Sequence, residues 1–283
     1  ALVDYHARAA IAATVDVILS RSITGNSIGA KLTIPQGTLF TDSSGNSWLS
    51  ARDVTWYSNV TTCKVPIIQH EKYTASALNN MVIPTGDRVI IHLGTLPNGK
   101  YYEQGSMSLQ IGGETWVLVD TFAKSKPTDK HFMVSVDESL SPYIMFGDGT
   151  FGKKPAAGAK ITNVVFYLTN GTQGNVKSNT ITSVPSVISS SITDATVSNA
   201  YDAGGGSNYE NFTMLKEHIP LSVKTLGVAI TKEDFESLAM LVDGVNKAKA
   251  DYECGRKLTV YISPDGGAVA SSELINRVYN LLS

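Results

Sequence analysis

The residue types that most often carry chemistry are scattered along this chain rather than grouped. No histidine is placed to share a helix face with a second ligand; the five are His6, His70, His92, His131 and His218. Cys63 and Cys254 belong to no Cys-x-x-Cys pair, so the sequence encodes neither a zinc ribbon nor a disulfide framework. Cys63 lies in a predicted strand, where we expect a buried, inert thiol. We therefore expect no bound metal and no cofactor.

Carboxylates offer one route to catalysis, because two of them at a suitable separation suffice for glycoside hydrolysis. The candidates are Asp137, Glu138 and Asp148. Neighbouring side chains on a strand point to opposite faces, so Asp137 and Glu138 do not form a pair. A Gly-x-Ser-x-Gly nucleophile motif is also missing. The sequence thus favours a protein that is not an enzyme, with a cell-wall glycan hydrolase as the last-ranked hypothesis.

The segment from Phe146 to Gly158 is the most distinctive in the chain. Its Gly-x-Gly start lacks the third glycine of a dinucleotide loop and the lysine of a phosphate loop, and one carboxylate is too few for calcium. We expect a structural turn in which glycines supply positive φ and the two phenylalanines anchor the ends in the core. Its residues are Phe146, Gly147, Asp148, Gly149, Phe151, Gly152, Pro155 and Gly158.

Composition describes a folded protein with little net charge. The 283 residues are 42% hydrophobic and 17% charged, enough to bury several cores rather than one. With 23 Lys plus Arg against 25 Asp plus Glu, no global field attracts nucleic acid or anionic lipid. No apolar run approaches the roughly 20 residues of a membrane span. We therefore expect neither a nucleic-acid partner nor a membrane span.

Short strand patterns dominate the first 176 residues, and helical spacing appears only after residue 208. The prediction is a mixed, β-rich, multi-domain α+β fold with three modules: an N-terminal β-rich module with a loop insertion (1–107), a central β-rich module (108–200) and a smaller α/β module (201–283). Because the chain opens on Ala1, we expect a processed or truncated piece. One strand and helix cannot bury their own faces, so the last module is expected to be truncated.

Three later segments carry specific expectations. The run 178–200, rich in Ser, Thr and Asn, is either an extended linker or an edge strand. The glycines Gly204, Gly205 and Gly206 form either a hinge between modules or a turn packed against one module. Helices are predicted over 212–219, from an N-cap at Thr231 to Gly244, and over 274–282, with a strand over 258–262.

Three blocks of the sequence, in the correct order, resemble the baseplate J family of contractile-tail phages and related injection machines. The central block contains the Phe146–Gly158 loop, then Ile161, Gly171 and Gly174-Asn175-Val176; upstream lies Ile34-Pro35-Gln36-Gly37-Thr38; downstream lie Gly204-Gly205, Glu210, Ile219-Pro220 and 228–235. The Ser/Thr-rich run departs from the family pattern by its length.

The resemblance implies a structural protein of the virion tail, assembled in the host cytoplasm. It implies a homodimer that joins other wedge proteins in a ring, and it carries over no catalytic residue. The alternative is a carbohydrate-binding or adhesin module of a phage tail, suggested by Trp48, Trp56 and Trp116 and by the twelve tyrosines in β-rich surroundings. An exposed aromatic platform would favour that module, whereas tryptophans buried between sheets would favour the scaffold.

Overall fold

The fold is rich in short strands. The computed structural model describes residues 9–22, 31–76, 78–86, 88–97, 99–137, 141–209, 229–253 and 257–283. Its strands are β1 (Thr14–Ser20), β2 (Lys31–Ile34), β3 (Leu39–Asp42), β4 (Ser47–Ser50), β5 (Val54–Tyr57), β6 (Thr62–Ile68), β7 (Glu71–Thr74), β8 (Ile90–His92), β9 (Tyr101–Tyr102), β10 (Ser108–Ile111), β11 (Glu114–Leu118), β12 (His131–Val136), β13 (Pro142–Phe146), β14 (Ile161–Thr169), β15 (Ile181–Ser183), β16 (Thr196–Asn199), β17 (Val245–Glu253) and β18 (Lys257–Pro264). The helices are α1 (Ser186–Ser189), α2 (Lys232–Met240) and α3 (Ser272–Leu282), and a 3-10 turn spans Gly171–Gly174. The predicted β-rich, multi-domain fold class is confirmed.

Two compact units share the chain. Among the described residues, the first unit holds 9–10, 72–169 and 208–209, and the second holds 11–71, 170–207 and 229–283. These units do not follow the boundaries of the three predicted modules, because strands that are distant in sequence pair with each other. For example, β1 pairs with β16, which aligns Val17 with Asn199.

The first unit is built on a sheet in the order β7-β14-β10-β11-β12-β13-β8, with β9 also paired to β14. Strand β10 pairs antiparallel with β11 and β14, β13 pairs antiparallel with β12 and β8, and β11 and β12 run parallel. The β-branched and aromatic run that predicts a central strand forms β14, an interior strand of this sheet. Phe132, Phe146 and Phe166 are buried in its core.

The second unit contains an antiparallel six-stranded sheet in the order β15-β3-β4-β6-β1-β16. The Ser/Thr-rich run supplies both edge strands, β15 and β16, so the edge-strand alternative is the one that the fold adopts. Trp48 and Trp56 are fully buried in this unit's core. The two edge strands also lie beside each other, because Oδ1 of Asn199 on β16 accepts hydrogen bonds from the N–H groups of Thr180 and Ile181, both at 3.0 Å.

A buried carboxylate holds the turn between β3 and β4. Oδ1 of Asp42 accepts hydrogen bonds from the backbone N–H groups of Ser44 and Asn46, both at 2.9 Å, and Oδ2 accepts one from Nε1 of Trp48 at 3.2 Å. Burial raises the pKa of Asp42, but hydrogen bonds from Asn46, Trp48 and Ser44 outweigh it and hold the pKa below its usual value. The ionised carboxylate therefore stabilises the folded second unit.

Replacing Asp42 by alanine should lower the free energy of unfolding by about 2 kcal/mol, because buried donors lose a charged acceptor. The depressed pKa means that this stabilisation is fully present above the unfolded-state pKa and is lost as the pH falls through the folded-state pKa. Urea unfolding of wild type and Asp42→Ala from pH 7 downward should therefore show two curves that converge in acid. A constant difference across that range would contradict the assignment. The control is the double variant Asp42→Ala/Trp48→Phe. It also removes the indole N–H, a buried donor that has lost its acceptor in Asp42→Ala.

The last part of the second unit is an antiparallel hairpin with helices. The predicted cap is present: Oγ1 of Thr231 accepts from the N–H of Asp234, and the Asp234 carboxylate accepts from the N–H of Thr231. Strand β17 has no counterpart in the prediction. Its inward residues include Ala248 and Ala250, which have low strand propensity and weaken the alternating pattern. The predicted helix over 212–219 lies outside the described residues.

The three consecutive glycines lie inside the second unit. The N–H of Gly204 donates to the carbonyl oxygen of Thr14, and that of Gly205 donates to the carbonyl oxygen of Asp265. The N–H of Gly206 donates to Oδ1 of Asn175. All three glycines are buried. This environment favours the packed-turn alternative, and the hinge stays a prediction for hydrogen exchange to test.

Candidate functional site

The Phe146–Gly158 loop connects β13 to β14 in the first unit. Phe146 ends β13 and is buried, with its ring edge-on to Trp116 at 5.4 Å between centroids. This contact fixes the entrance of the loop to the core. Pro155 is also buried near the other end. The loop is therefore held at both ends by buried residues.

The glycines of the loop serve two different steric purposes. A Cβ on Gly147 would lie 2.3 Å from the backbone carbon of Gly152, so the two chain segments approach too closely for any side chain. Gly149 and Gly152 have φ of +94° and +83°, in the region that favours glycine. The N–H of Gly149 donates to the carbonyl of Gly152 at 3.0 Å and closes the turn.

Asp148 is bound to its own loop. Its Oδ1 accepts from the backbone N–H groups of Thr150 at 2.8 Å and Phe151 at 2.9 Å. These bonds from Phe151 and Thr150 lower the pKa of the Asp148 carboxyl, and the charge of Arg88 adds to the effect. A general acid needs the opposite shift. The geometry is that of an Asx turn, with the carboxylate as a structural acceptor.

One expectation about this loop is wrong. Phe151 does not anchor the loop in the core, because its side chain is 54% exposed. The alternation that places Phe146 inward does not continue through a turn with positive φ residues, so the second phenylalanine leaves the core. It lies instead on the wall of a cleft.

That cleft covers one face of the strands next to the loop and has a volume of about 540 Å³. Met133, Met145 and Ile90 are cross-strand partners on β12, β13 and β8, and they form its floor. Phe122 and Phe151 contribute aromatic walls, and Arg88 and Asp148 are its charged lining residues. An apolar cleft with few polar groups is the usual form of a binding surface. In the sequence, the only sign of this cleft was the alternating pattern of its strands. That pattern does not reveal the strand register that brings Ile90, Met133 and Met145 side by side.

A serine and a histidine, Ser125 and His131, lie a few residues along the chain from residues that line this cleft. Oγ of Ser125 is 2.8 Å from Nδ1 of His131. Ser125 is 8% exposed, so its hydroxyl is poorly placed to attack a substrate. The pair ties the segment before β12 to that strand. No spacing motif in the sequence predicted it.

The other candidate catalytic and metal-binding residues do not gather into one site. Cys63 is buried, and burial raises the pKa of its thiol, which is the environment of an inert cysteine. His92 lies 3.9 Å from an Asp137 carboxylate oxygen and contacts the Tyr143 ring. Within the described ranges, no three His, Cys, Asp or Glu side chains come together as a metal would require. His6, His218, Glu138 and Cys254 lie outside the described residues.

All three tryptophans are buried. Trp48 and Trp56 are fully buried, and Trp116 is 4% exposed. No tryptophan is therefore available for a flat aromatic platform. In the described part of the chain, no helix is both long and apolar enough to cross a membrane.

The matches among solved structures include a protein of a prophage baseplate. No family model matches the chain. No curated protein matches it either. The chain is similar to a chain in the cryo-EM structure of the anti-feeding prophage (AFP) baseplate, 6-fold symmetrised, with 15% sequence identity and a TM-score of 0.26. The match covers 98% of this chain and 55% of that chain, so this chain spans about half the length of the protein it matches.

Proposed function

We propose that this protein is a structural scaffold of a phage-type contractile-tail baseplate, located at the virion tail. By the resemblance of its sequence, it would belong to the baseplate J family. Its role would be similar to that of the dimeric baseplate wedge protein of T-even phages. It would form the inner baseplate ring by pairing with itself and with other wedge proteins after assembly in the host cytoplasm.

The Phe146–Gly158 loop is the observation that carries this proposal. Its residues are the core of the resemblance, and their spacing follows the demands of one turn. Gly147 permits a backbone contact, Gly149 and Gly152 adopt positive φ, and Asp148 accepts two N–H groups. A motif whose members each shape the backbone supports a protein that works through rigid surfaces.

We further propose that the protein is not an enzyme. Asp148 is engaged by its own loop and Ser125 is buried, so neither is poised for proton transfer or nucleophilic attack. Incubation with peptidoglycan and polysaccharide should release no product above the blank. Turnover that disappears in Asp148→Asn would establish the hydrolase hypothesis instead.

The carbohydrate-binding or adhesin alternative receives no support from the tryptophans. An exposed aromatic platform would distinguish a carbohydrate-binding module from a scaffold. The three tryptophan side chains lie in the cores instead. Buried tryptophans favour the scaffold by that criterion.

Mass measurement in solution tests the partner part of the proposal. A wedge scaffold needs contacts of at least roughly 1,000 Å² with a copy of itself. Native mass spectrometry of the chain, alone and with the neighbouring tail proteins from the same genome, should show a homodimer and mixed complexes. A strict monomer that binds none of those proteins at tens of micromolar would contradict the scaffold role.

A further inference from the structure

An uncharged groove in the second unit lies between β18 and α3. It has a volume of about 760 Å³, and its lining side chains are apolar or neutral. The principal ones are Val260, Tyr261, Ile262, Ile275, Tyr279 and Leu282. Several of them are largely exposed: Tyr261 by 58%, Ile275 by 50% and Tyr279 by 69%. So much exposed apolar surface on two adjacent elements is typical of an interaction site.

Strand β18 is an unpaired edge beside this groove. The hairpin sheet contains β17 and β18, and no backbone hydrogen bond joins residues 258–263 to another described strand. The helices bury the two strands of the hairpin to different degrees. Ala250 on β17 is 2% exposed under α2, whereas Val260, its partner on β18, is half-buried. An apolar edge of this kind is a template for one more strand.

Three ion pairs within the unit lie on the elements that surround the groove. Nε of Arg277 lies 3.6 Å from a Glu273 oxygen, and Nζ of Lys249 lies 3.1 Å from an oxygen of Glu236. Nζ of Lys232 lies 2.8 Å from Oδ1 of Asp251. A charged partner would find no counter-charge among the lining residues. An uncharged partner with an apolar edge strand fits, and a second copy of this surface has both properties.

We propose that β18 pairs antiparallel with β18 of a second copy, so that the two grooves face each other across a two-fold axis. Antiparallel pairing of identical strands generates this symmetry, and each patch then meets its own copy. Ile275 and Tyr279 of one copy cover the strand contributed by the other. The exposed side chains amount to on the order of 500 Å² per copy, given that an aromatic residue buries 150–250 Å². With the strand backbone added, this approaches the roughly 800 Å² per partner of a standard interface.

This inference rests on the self-association in the proposed function and assigns a surface to it. Ile275→Lys and Tyr279→Lys change positions of α3 that are 50% and 69% exposed, so both variants should fold normally. Each should raise the dimer dissociation constant at least about tenfold, because a lysine charge would be desolvated at the interface without a partner. Tyr57→Lys is the matched control, since Tyr57 is 56% exposed in the same unit outside the groove. Its dissociation constant should equal that of wild type.

Sedimentation equilibrium gives these constants, and hydrogen exchange tests the strand pairing itself. Exchange over 258–263 should slow as protein concentration rises in wild type, and it should not slow in Tyr279→Lys. A wild-type monomer at 50 μM overturns the second-copy proposal. A dimer that both lysine variants leave intact also overturns it, because self-association then uses another surface and the scaffold role is unaffected.

Discussion

Replacing Gly147 by alanine is expected to destabilise the first unit more than any other single methyl group added to the loop. The new Cβ would lie 2.3 Å from the carbon and 2.4 Å from the oxygen of Gly152. Both are backbone atoms that cannot rotate away, so the turn must open and Phe146 must shift in the core. We expect a loss of about 3 kcal/mol or more, which corresponds to a fall in Tm of roughly 10 °C.

The matched control is Gly149→Ala in the same loop. Gly149 has φ of +94°, but its Cβ would approach nothing closer than 4.0 Å. The cost is then the dihedral strain alone, about 1–2 kcal/mol. Differential scanning calorimetry of both variants separates backbone contact from strain. An equal or smaller loss in Gly147→Ala than in Gly149→Ala would show that the loop is not held by the Gly147–Gly152 contact.

Replacing Gly206 by alanine is expected to have the second largest effect. Its Cβ would lie 2.5 Å from the carbonyl oxygen of Gly171, 2.8 Å from Oδ1 of Asn175 and 3.0 Å from Cβ of Ala13. The methyl group would also break the bond that Gly206 N–H donates to Asn175, at 2.9 Å. We expect a loss of about 3 kcal/mol in the second unit, measured by urea unfolding.

Gly267→Ala is the control for this variant, because Gly267 has φ of +73° and open space around its Cβ position. Its cost should be about 1 kcal/mol. Amide exchange in wild type then separates the two alternatives for the triple glycine. Slow exchange at 204–206 fits the packed turn, whereas fast exchange between two protected blocks, with a stability of Gly206→Ala near wild type, would establish the hinge.

Local elements were predictable because their signals are local. The Thr231 capping box needs only Thr231 and Asp234, and β12 follows from four apolar residues, Phe132, Met133, Val134 and Val136, within six positions. Strand β17 was not predictable in this way, because its alanines and lysines are good helix formers with low strand propensity.

Long-range arrangement was not predictable from the pattern. The pairing of β1 with β16 aligns Val17 with Asn199, which are far apart in the sequence, and periodicity does not specify a partner. The cleft beside the loop has the same origin: Ile90, Met133 and Met145 each sit on an ordinary strand, and only the register makes them one surface. The loop itself was the exception, because glycine at close spacing already implies positive φ.

The central claim is that this chain is a building block of a tail baseplate. The most direct test is to remove its gene from the genome that encodes it and to image the tail particles by electron microscopy. We expect tails that lack a complete baseplate, with baseplates restored by the wild-type gene and poorly restored by the Gly147→Ala gene. Complete baseplates in particles without the protein would contradict the claim.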